Sequence, residues 1–596
     1  MFIFYILLIS YFIKMILFYH TTETKVFFNN ILPASIINFV IFYLLLIPMK
    51  YGSEIFMIVY TIISIMLFVD SVYYAHFKKM TSIFLLKNIK LMDVAGDSLP
   101  MMIKPYHFLF LLDIPVAFYF NNKFIPLSIG QYVSQSSIFI VSFLVLMIIL
   151  FNPLKINSFK RLKAQEFLIY HFSDIGIKIA KVLNIYKIEQ EDLIKHFKKK
   201  EKSNKKKYFG VAKNRNLIVI QIESFQNFLI EKEYRGKEIT PNLNKLIKDS
   251  LYFNNYYQQI AQGNTSDAEF VTQNSLYPTA YGQTYAMYEK NRFNGLPWIM
   301  RENGYNTMAF HGFKKGFWNR ENAYPSQGFE KFIGLEDFDV TEKIGIGLSD
   351  EEMFKQSIKF LPKDKPFYSF LITLTNHLPY DLPKSKCNMD LFDHHKGTMF
   401  GKYINTAHYT DQAIGDFIEK LKKENLYDNS IIALYGDHGG LVPGPSVDKE
   451  MAEFLGYTYY YDTLMNIPLI INIPGTNIKD RITKTAGQID FMPTILNLMG
   501  IEKRKVPCFG KDIINNNSGF VATQLYLNKG SFIKDGVCFE LSKDGVFENS
   551  RAWEIDTRIP VAIEKYRDDY NRAIAEIDMS NYITDRDLVE NLCSIK

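Results

Sequence analysis

The chain has 596 residues, too many for one ordinary hydrophobic core, so at least two domains are expected. Its formal net charge is only +6 at pH 7, which excludes a uniformly basic, nucleic-acid-coating protein. Cys387, Cys508, Cys538 and Cys593 show no CxxC or other zinc-type spacing, which favours unpaired buried thiols over a metal ribbon or a disulfide framework.

Apolar runs fall near residues 2–19, 31–48, 55–75, 106–120 and 137–153. A helix that spans a bilayer takes about 20 apolar residues. The fourth run is short and contains Asp113 and Pro115, which suits a tilted span or a re-entrant element. The expectation is a multi-span α-helical membrane domain of about five helices over residues 1–154. An odd number of spans puts the two chain ends on opposite sides. The first run has no small-residue cleavage site and is followed by further spans, so it reads as an anchor and not as a removed signal peptide.

Residues 155–209 follow as a basic juxtamembrane linker. From Lys155 to Lys207 there are 15 Lys and Arg against 6 Asp and Glu, a net charge of +9, whereas residues 208–596 carry −6. The cluster KHFKKKEKSNKKK at 195–207 is suited to anionic lipid headgroups. No nucleic-acid-binding module accompanies it, so no nucleic-acid partner is expected. Lys78, Lys79, Lys87, Lys90 and Lys104 lie on the same side as this linker in a five-span topology. Counting them places the C-terminal domain in the cytoplasm.

Residues 210–596 have the grammar of an α/β domain with a central, mostly parallel sheet. NLIVIQIES (216–224) runs into Glu223, NTMAFHG (306–312) into His311, FYSFLITLTNH (367–377) into His377, and SIIALYGDHGG (430–440) into Asp437 and His438. In HYTDQAIGDFIEKL, Ile414, Phe417, Ile418 and Leu421 repeat with helical spacing, as in a helix that covers a sheet. Ligands in open α/β sheets bind beyond the carboxyl ends of the strands. If the four strands are neighbours, their terminal residues converge on one site. Carboxylates with imidazole suit a divalent ion such as Mn, Mg or Zn, which screens phosphate charge and acidifies a bound hydroxyl.

A nucleophile is expected in QQIAQGNTSDAEF (258–270), which reads as a turn into a helix with Asn264, Thr265 or Ser266 as its cap. A hydroxyl at a helix N-terminus beside a metal is well placed to attack phosphorus. The glycines after Asp437-His438 are expected to let backbone approach a ligand. Gln488, Asp490 and Pro493 read as a helix start near the sheet.

The blocks IQIESFQNF, PNLNKL, YYQQIAQGNTSDAEF, FHGFKKGFWNR, TLTNHLPY, YGDHGG and QIDFMPTILNLMGI, in this order, resemble the lipoteichoic acid synthase and phosphoglycerol transferase family of the alkaline-phosphatase/sulfatase superfamily. The resemblance covers nearly the whole chain. It implies a sulfatase-like catalytic domain over 210–596, outside the cell of a Gram-positive-type bacterium and anchored by a multi-pass membrane domain, against the loop-charge count. It implies one Mn-like ion, with Mg as the alternative, held by Glu223, Thr265, Asp437 and His438. Thr265 would also be the nucleophile, carrying a covalent glycerol-phosphate intermediate. His377, Trp318 and Arg320 would hold the glycerol-phosphate group, and His311 would be a further catalytic residue. His377 is suited to protonate the departing glycerolipid oxygen. The implied donor is phosphatidylglycerol, and the implied acceptor is a glycolipid-linked glycerol-phosphate polymer. In the family an acidic residue usually follows the His-Gly pair; Phe313 stands there, removing a hydrogen bond to the glycerol hydroxyls.

Other reactions of the superfamily are a primase that adds the first unit only, phosphoethanolamine transfer, and hydrolysis. Sulfate-ester hydrolysis is disfavoured, because GNTSDAE lacks the Cys/Ser-x-Pro-x-Arg block. A non-catalytic membrane binding protein is the alternative of another class. The hydroxyl of Thr265 beside metal-type ligands argues against it.

Overall fold

The computed structural model describes residues 2–24, 31–46, 52–83, 103–121, 163–183, 185, 187–199, 207–502 and 506–593. The described residues form two compact units, one drawn from residues 1–86, 95–187 and 541–550 and the other from 188–540 and 551–596.

The first unit contains α1 (Phe2–Thr21), α2 (Ile31–Leu46), α3 (Gly52–Phe77), α4 (Ile114–Asn121) and α5 (Phe167–Val182). Among the described residues one helix, over Glu54–Ala75, is long and apolar enough to cross a membrane; shorter apolar helices cover Ile6–Thr21 and Ile31–Tyr43. The run at 106–120 is not one helix. A 3-10 turn at Pro105–Phe110 precedes α4, with Pro115 in the first turn of α4, where its missing N–H does no harm. Asp113 is neutralised in place: Lys14 Nζ lies 2.6 Å from its Oδ1, and Tyr60 and Ser10 donate to its Oδ2. That pairing explains how a carboxylate is tolerated in an apolar run. The run at 137–153 lies outside the described residues, as do 155–162 and 200–206 of the linker; α5 and α6 (Gln190–Lys199) fall within its described part.

The second unit is built on a nine-stranded sheet. Its strands are β1 (Asn216–Ile222), β2 (Ser250–Tyr257), β3 (Asn306–His311), β4 (Lys331–Ile333), β5 (Phe367–Ile372), β6 (Ser430–Gly436), β7 (Asn466–Asn472), β8 (Asp480–Ile482) and β9 (Ala486–Gly487). Their order is β8-β2-β7-β6-β1-β5-β3-β4, with β9 also paired to β2. All seven residues of β1 are buried, as the continuous apolar run requires of a central strand covered on both faces. Each fully buried Leu, Ile or Val there contributes roughly 1.5–3 kcal/mol.

The sheet is mixed and not wholly parallel: β7 runs against both β6 and β2. After β6 the chain crosses a helix at Pro445–Leu455 and a short helix at Tyr461–Met465, then re-enters from the end at which β6 left. A strand that re-enters at the same end must run antiparallel. Four neighbours, β6, β1, β5 and β3, are parallel throughout. In register, Ile222 lies opposite Gly436, Gln221 opposite Ile372, and Ile372 opposite His311, so these four strands end at one level.

The remaining helices used below are α7 (Asn264–Asn274), α8 (Arg320–Gln327), α9 (Met399–Lys423), α10 (Pro445–Leu455), α11 (Phe491–Leu498) and α12 (Arg567–Asp585). α9 covers the sheet through Ile414, Phe417, Ile418 and Leu421, all buried, and Thr398 caps it by accepting from the Gly401 N–H. A second, five-stranded antiparallel sheet, β10 (Phe520–Ala522), β11 (Phe532–Lys534), β12 (Val537–Glu540), β13 (Arg551–Glu554) and β14 (Pro560–Val561), completes this unit. None of the four cysteines forms a disulfide; Cys508 and Cys538 are buried, and Cys387 is exposed.

α9 is pinned to the segment before β2 by Asp411. Its carboxylate is buried and accepts from the Asn242 N–H (3.0 Å), Asn242 Nδ2 (2.9 Å) and the Leu243 N–H (2.8 Å), the first-turn donors of the short helix Pro241–Leu246. Asp411→Ala therefore leaves buried donors unpaired and is expected to destabilise the chain by roughly 2–3 kcal/mol. Thermal unfolding of the detergent-solubilised protein checks this; an unchanged midpoint contradicts it.

Candidate metal centre and active site

Glu223 is the first residue beyond β1. The chain turns immediately after it, and Ser224 adopts a left-handed conformation (φ 53°), a strained state held by its surroundings. The Ser224 N–H donates to Asp437 Oδ1 (2.7 Å), and its carbonyl accepts from the Tyr403 hydroxyl (2.8 Å). Asp437 continues β6, its N–H bonded to Ile222 O at 3.1 Å. Glu223 and Asp437 are thus placed by adjacent parallel strands.

The resulting group is acceptor-rich. Glu223, Asp437 and His438 are all buried and offer one ligand atom each within 4.8 Å of one another. His438 Nδ1 lies 3.1 Å from Gly439 O. A carbonyl only accepts, so this nitrogen carries the hydrogen and Nε2 presents a lone pair. Nε2 lies 3.6 Å from Glu223 Oε1 and 3.5 Å from Asp437 Oδ2. These separations exceed hydrogen-bond length. Among the described residues Asp437 Oδ2 is buried without a hydrogen-bond partner. Burial and then the Glu223 charge push the Asp437 carboxyl well above its ordinary pKa; burial pulls His438 below its own. Three lone pairs facing one point, one of them orphaned, is the arrangement that a divalent cation completes. The residues fit such an ion.

Thr265 joins this group. It lies in the first turn of α7, is 5% exposed, and donates from Oγ1 to Glu223 Oε2 at 3.3 Å. The expected capping differs in detail. The N-cap is Gly263, and none of Asn264, Thr265 or Ser266 caps through its side chain: Ser266 donates back to Gly263 O (2.8 Å), and Asn264 Oδ1 is unpaired. Asp267 does the capping work, accepting from the Gly263 N–H (2.8 Å) and the Ala261 N–H (3.1 Å). The Thr265 hydroxyl is thereby left for the acceptor cluster.

The glycines after His438 also serve a different purpose from the expected one. A Cβ on Gly439 would meet Leu464 O at 2.3 Å, and one on Gly440 would meet Tyr403 at 2.7 Å and Ser224 O at 2.8 Å. The close approach is to the protein's own chain. Gln488 lies in the turn before α11 and donates to Asp437 O at 2.6 Å, so it buttresses the centre from a helix start.

The other expected residues sit on the neighbouring strand ends. His311 ends β3, and its Nδ1 donates to Ile372 O (3.1 Å). Burial, and next the Arg320 charge, hold its pKa well below the ordinary value. His377 lies beyond β5, half-buried, and influences both His311 and His438 electrostatically. Trp318 is half-buried in a turn where it and Asn319 both have positive φ (57° and 60°). Asn319 holds that turn by donating to Tyr285 O (3.0 Å) and Glu289 (2.8 Å). Phe313 is buried and packs edge-on against Phe317 at 5.0 Å.

Arg320 is fully buried. Nε and Nη2 donate to Glu269 Oε1 at 3.0 and 2.6 Å, and the Tyr324 hydroxyl donates to Oε2 at 2.7 Å. Nη1 is buried with no partner among the described residues. Sequence reasoning did not single out Glu269, Asp267 or Ser224. The first two lie in the GNTSDAE block, Asp267 one residue and Glu269 three residues beyond Ser266, and their signal was the unexplained acidity of a buried helix start.

The Arg320–Glu269 pair predicts an asymmetry. Glu269→Gln leaves a buried guanidinium uncompensated and is expected to cost roughly 3–5 kcal/mol of stability. Adding Arg320→Met should recover most of that loss. Chemical unfolding of both variants checks this; equal stability of the two contradicts it.

Residues 215–501 match the sulfatase family model, and residues 1–205 match the lipoteichoic acid synthase N-terminal domain model. The lipoteichoic acid synthase-like protein YvgJ of Bacillus subtilis is 32% identical over 522 residues, 82% of this chain and 83% of that one. The lipoteichoic acid synthase of Staphylococcus aureus strain USA300 is 36% identical over 416 residues, 67% of this chain and 62% of its own length. Among solved structures, the lipoteichoic acid synthase LtaP from Listeria monocytogenes matches with a TM-score of 0.60 at 30% identity, covering 63% of this chain and 94% of that one. An alkaline-phosphatase-superfamily protein from Vibrio parahaemolyticus shares the fold, with a TM-score of 0.54 at 20% identity over 69% of this chain and 98% of that one. The chain belongs to the lipoteichoic acid synthase family of the alkaline-phosphatase superfamily, a family of phosphotransferases.

Proposed function

We propose that this protein transfers glycerol phosphate from phosphatidylglycerol to a growing lipoteichoic acid-type polymer, at the outer face of the cell membrane, through a covalent phosphothreonine at Thr265. The observation that carries this reading is the Thr265 hydroxyl, in the first turn of α7 and 3.3 Å from Glu223, beside the acceptor group of Glu223, Asp437 and His438. Synthases among its relatives support the substrate class. The N-terminal family match supports membrane anchoring.

Glu223, Thr265, Asp437 and His438 would hold one divalent ion, Mn first and Mg second. Bound there, it would acidify the Thr265 hydroxyl and offset phosphate charge. Deprotonated Thr265 Oγ1 attacks the phosphorus of the donor, and the bond to the diacylglycerol oxygen breaks. His377 gives that oxygen its proton. In the second half-reaction His377, deprotonated by the first, takes the proton of an acceptor hydroxyl, whose oxygen attacks phosphorus as the bond to Thr265 Oγ1 breaks. His311, its Nδ1 committed to Ile372 O and burial keeping it neutral, would be the further catalytic histidine by presenting Nε2 to the substrate as a hydrogen-bond acceptor. Nη1 of Arg320, buried and unpaired, supplies a charged donor for a phosphate oxygen. Trp318 flanks the head group from its strained turn.

The test is metal-dependent release of diacylglycerol from fluorescent phosphatidylglycerol by the full-length protein in detergent. Release with Mn, its loss in chelator, and a fall of roughly 10^3-fold or more in Thr265→Ala are expected. Product length then separates polymerase from primase. Turnover of phosphatidylethanolamine without phosphatidylglycerol would overturn the head-group assignment, with Phe313 as its origin. Full activity in Thr265→Ala would overturn the phosphothreonine.

A further inference from the structure

A second group of metal-type ligands lies away from the strand ends. His394 and His395 end the 3-10 turn Asp393–His395, just before α9, and Glu453 lies on α10. The three offer one ligand atom each within 4.8 Å of one another, and His394 Nε2 is already 3.1 Å from Glu453 Oε1. Glu450 is one turn earlier on α10 and acts electrostatically on His395.

Two buried atoms here are unpaired among the described residues. His395 is 2% exposed, its Nδ1 is 2.7 Å from the Tyr234 hydroxyl, and its Nε2 has no partner. Glu450 Oε2 is also buried without a partner. An unpaired imidazole nitrogen and an unpaired carboxylate oxygen beside a His–Glu pair are costly unless a cation joins them. The orienting contacts are those of a ligand imidazole. Tyr234 fixes the remote nitrogen of His395, Phe400 packs on its ring at 4.8 Å, and His394 stacks on Phe392 at 5.6 Å. Bonds of about 2.0–2.1 Å in a tetrahedral zinc site put ligand atoms about 3.3 Å apart. The exposed side chains of His394 and Glu453 need only small rotations to close to that spacing.

We propose that His394, His395 and Glu453, with Glu450 as fourth ligand, bind a divalent transition ion of the zinc class. Two imidazoles with carboxylates favour such an ion over Mg or Ca. The ion would staple α10, which begins soon after Gly440, to the start of α9, whose Tyr403 holds the Ser224 carbonyl. It would thus brace the loop beyond β6 from outside. The proposal stands independently of the strand-end assignments.

The experiment titrates Zn²⁺ into tag-free, chelator-treated full-length protein by calorimetry, with Co²⁺ absorption as a second readout. Wild type, His394→Ala, Glu453→Gln and Glu223→Gln are compared. His394 and Glu453 are both more than half exposed, so their variants are expected to fold. A binding phase retained in Glu223→Gln but weakened at least about ten-fold in His394→Ala and Glu453→Gln supports the site. In the same proteins Zn²⁺ should raise the unfolding temperature of wild type and Glu223→Gln more than that of His394→Ala. Identical isotherms for wild type and His394→Ala, or no Zn²⁺ phase left in Glu223→Gln, overturn it.

Discussion

Two carboxylates held side by side out of water constrain the rest of this molecule. Adjacent parallel strands deliver Glu223 and Asp437 to one buried point, and among the described residues no Lys or Arg is paired with either of them. The imidazole beside them offers a lone pair at His438 Nε2 and not a proton. Burying like charges is costly, and the fold meets part of that cost with donors. Ser224 Oγ donates to Glu223 (2.8 Å), and two backbone N–H groups donate to Asp437 (2.7 and 2.6 Å). One oxygen of Asp437 stays unpaired. The site is assembled for a positive charge that the polypeptide does not supply.

Much surrounding structure serves that point. The left-handed turn at Ser224 aims one backbone N–H at Asp437, and the Tyr403 hydroxyl on α9 fixes the same turn from behind. Asn376 donates to Glu223 O (3.0 Å) and accepts from Thr406 (2.5 Å). Gln488 and Gln258 brace Asp437 O and the Gly439 N–H. These bonds tie the surrounding fold to the acceptor group of Glu223, Asp437 and His438.

The convergence was legible because each of four apolar runs ends on a metal-capable residue, and strand ends of parallel neighbours share a level. The covering helix was legible from Ile414, Phe417, Ile418 and Leu421. What escaped the sequence depends on long-range partners. The reversal of β7 follows from where its connection re-enters the sheet, which no local pattern records. The Asp267 cap replaced the expected hydroxyl caps because a carboxylate accepts from two loop N–H groups at once. The Gly439-Gly440 pair makes room for Leu464 O and Tyr403, neighbours only in the folded chain. The small second sheet is made of strands of two to four residues, too short to show alternation.

The most direct test of the central claim is anomalous diffraction at the manganese absorption edge from crystals of the Mn-loaded protein. The account predicts a peak within bonding distance of Glu223, Asp437, His438 and the Thr265 hydroxyl. A fully Mn-loaded crystal with no peak at the ends of β1 and β6 would contradict it.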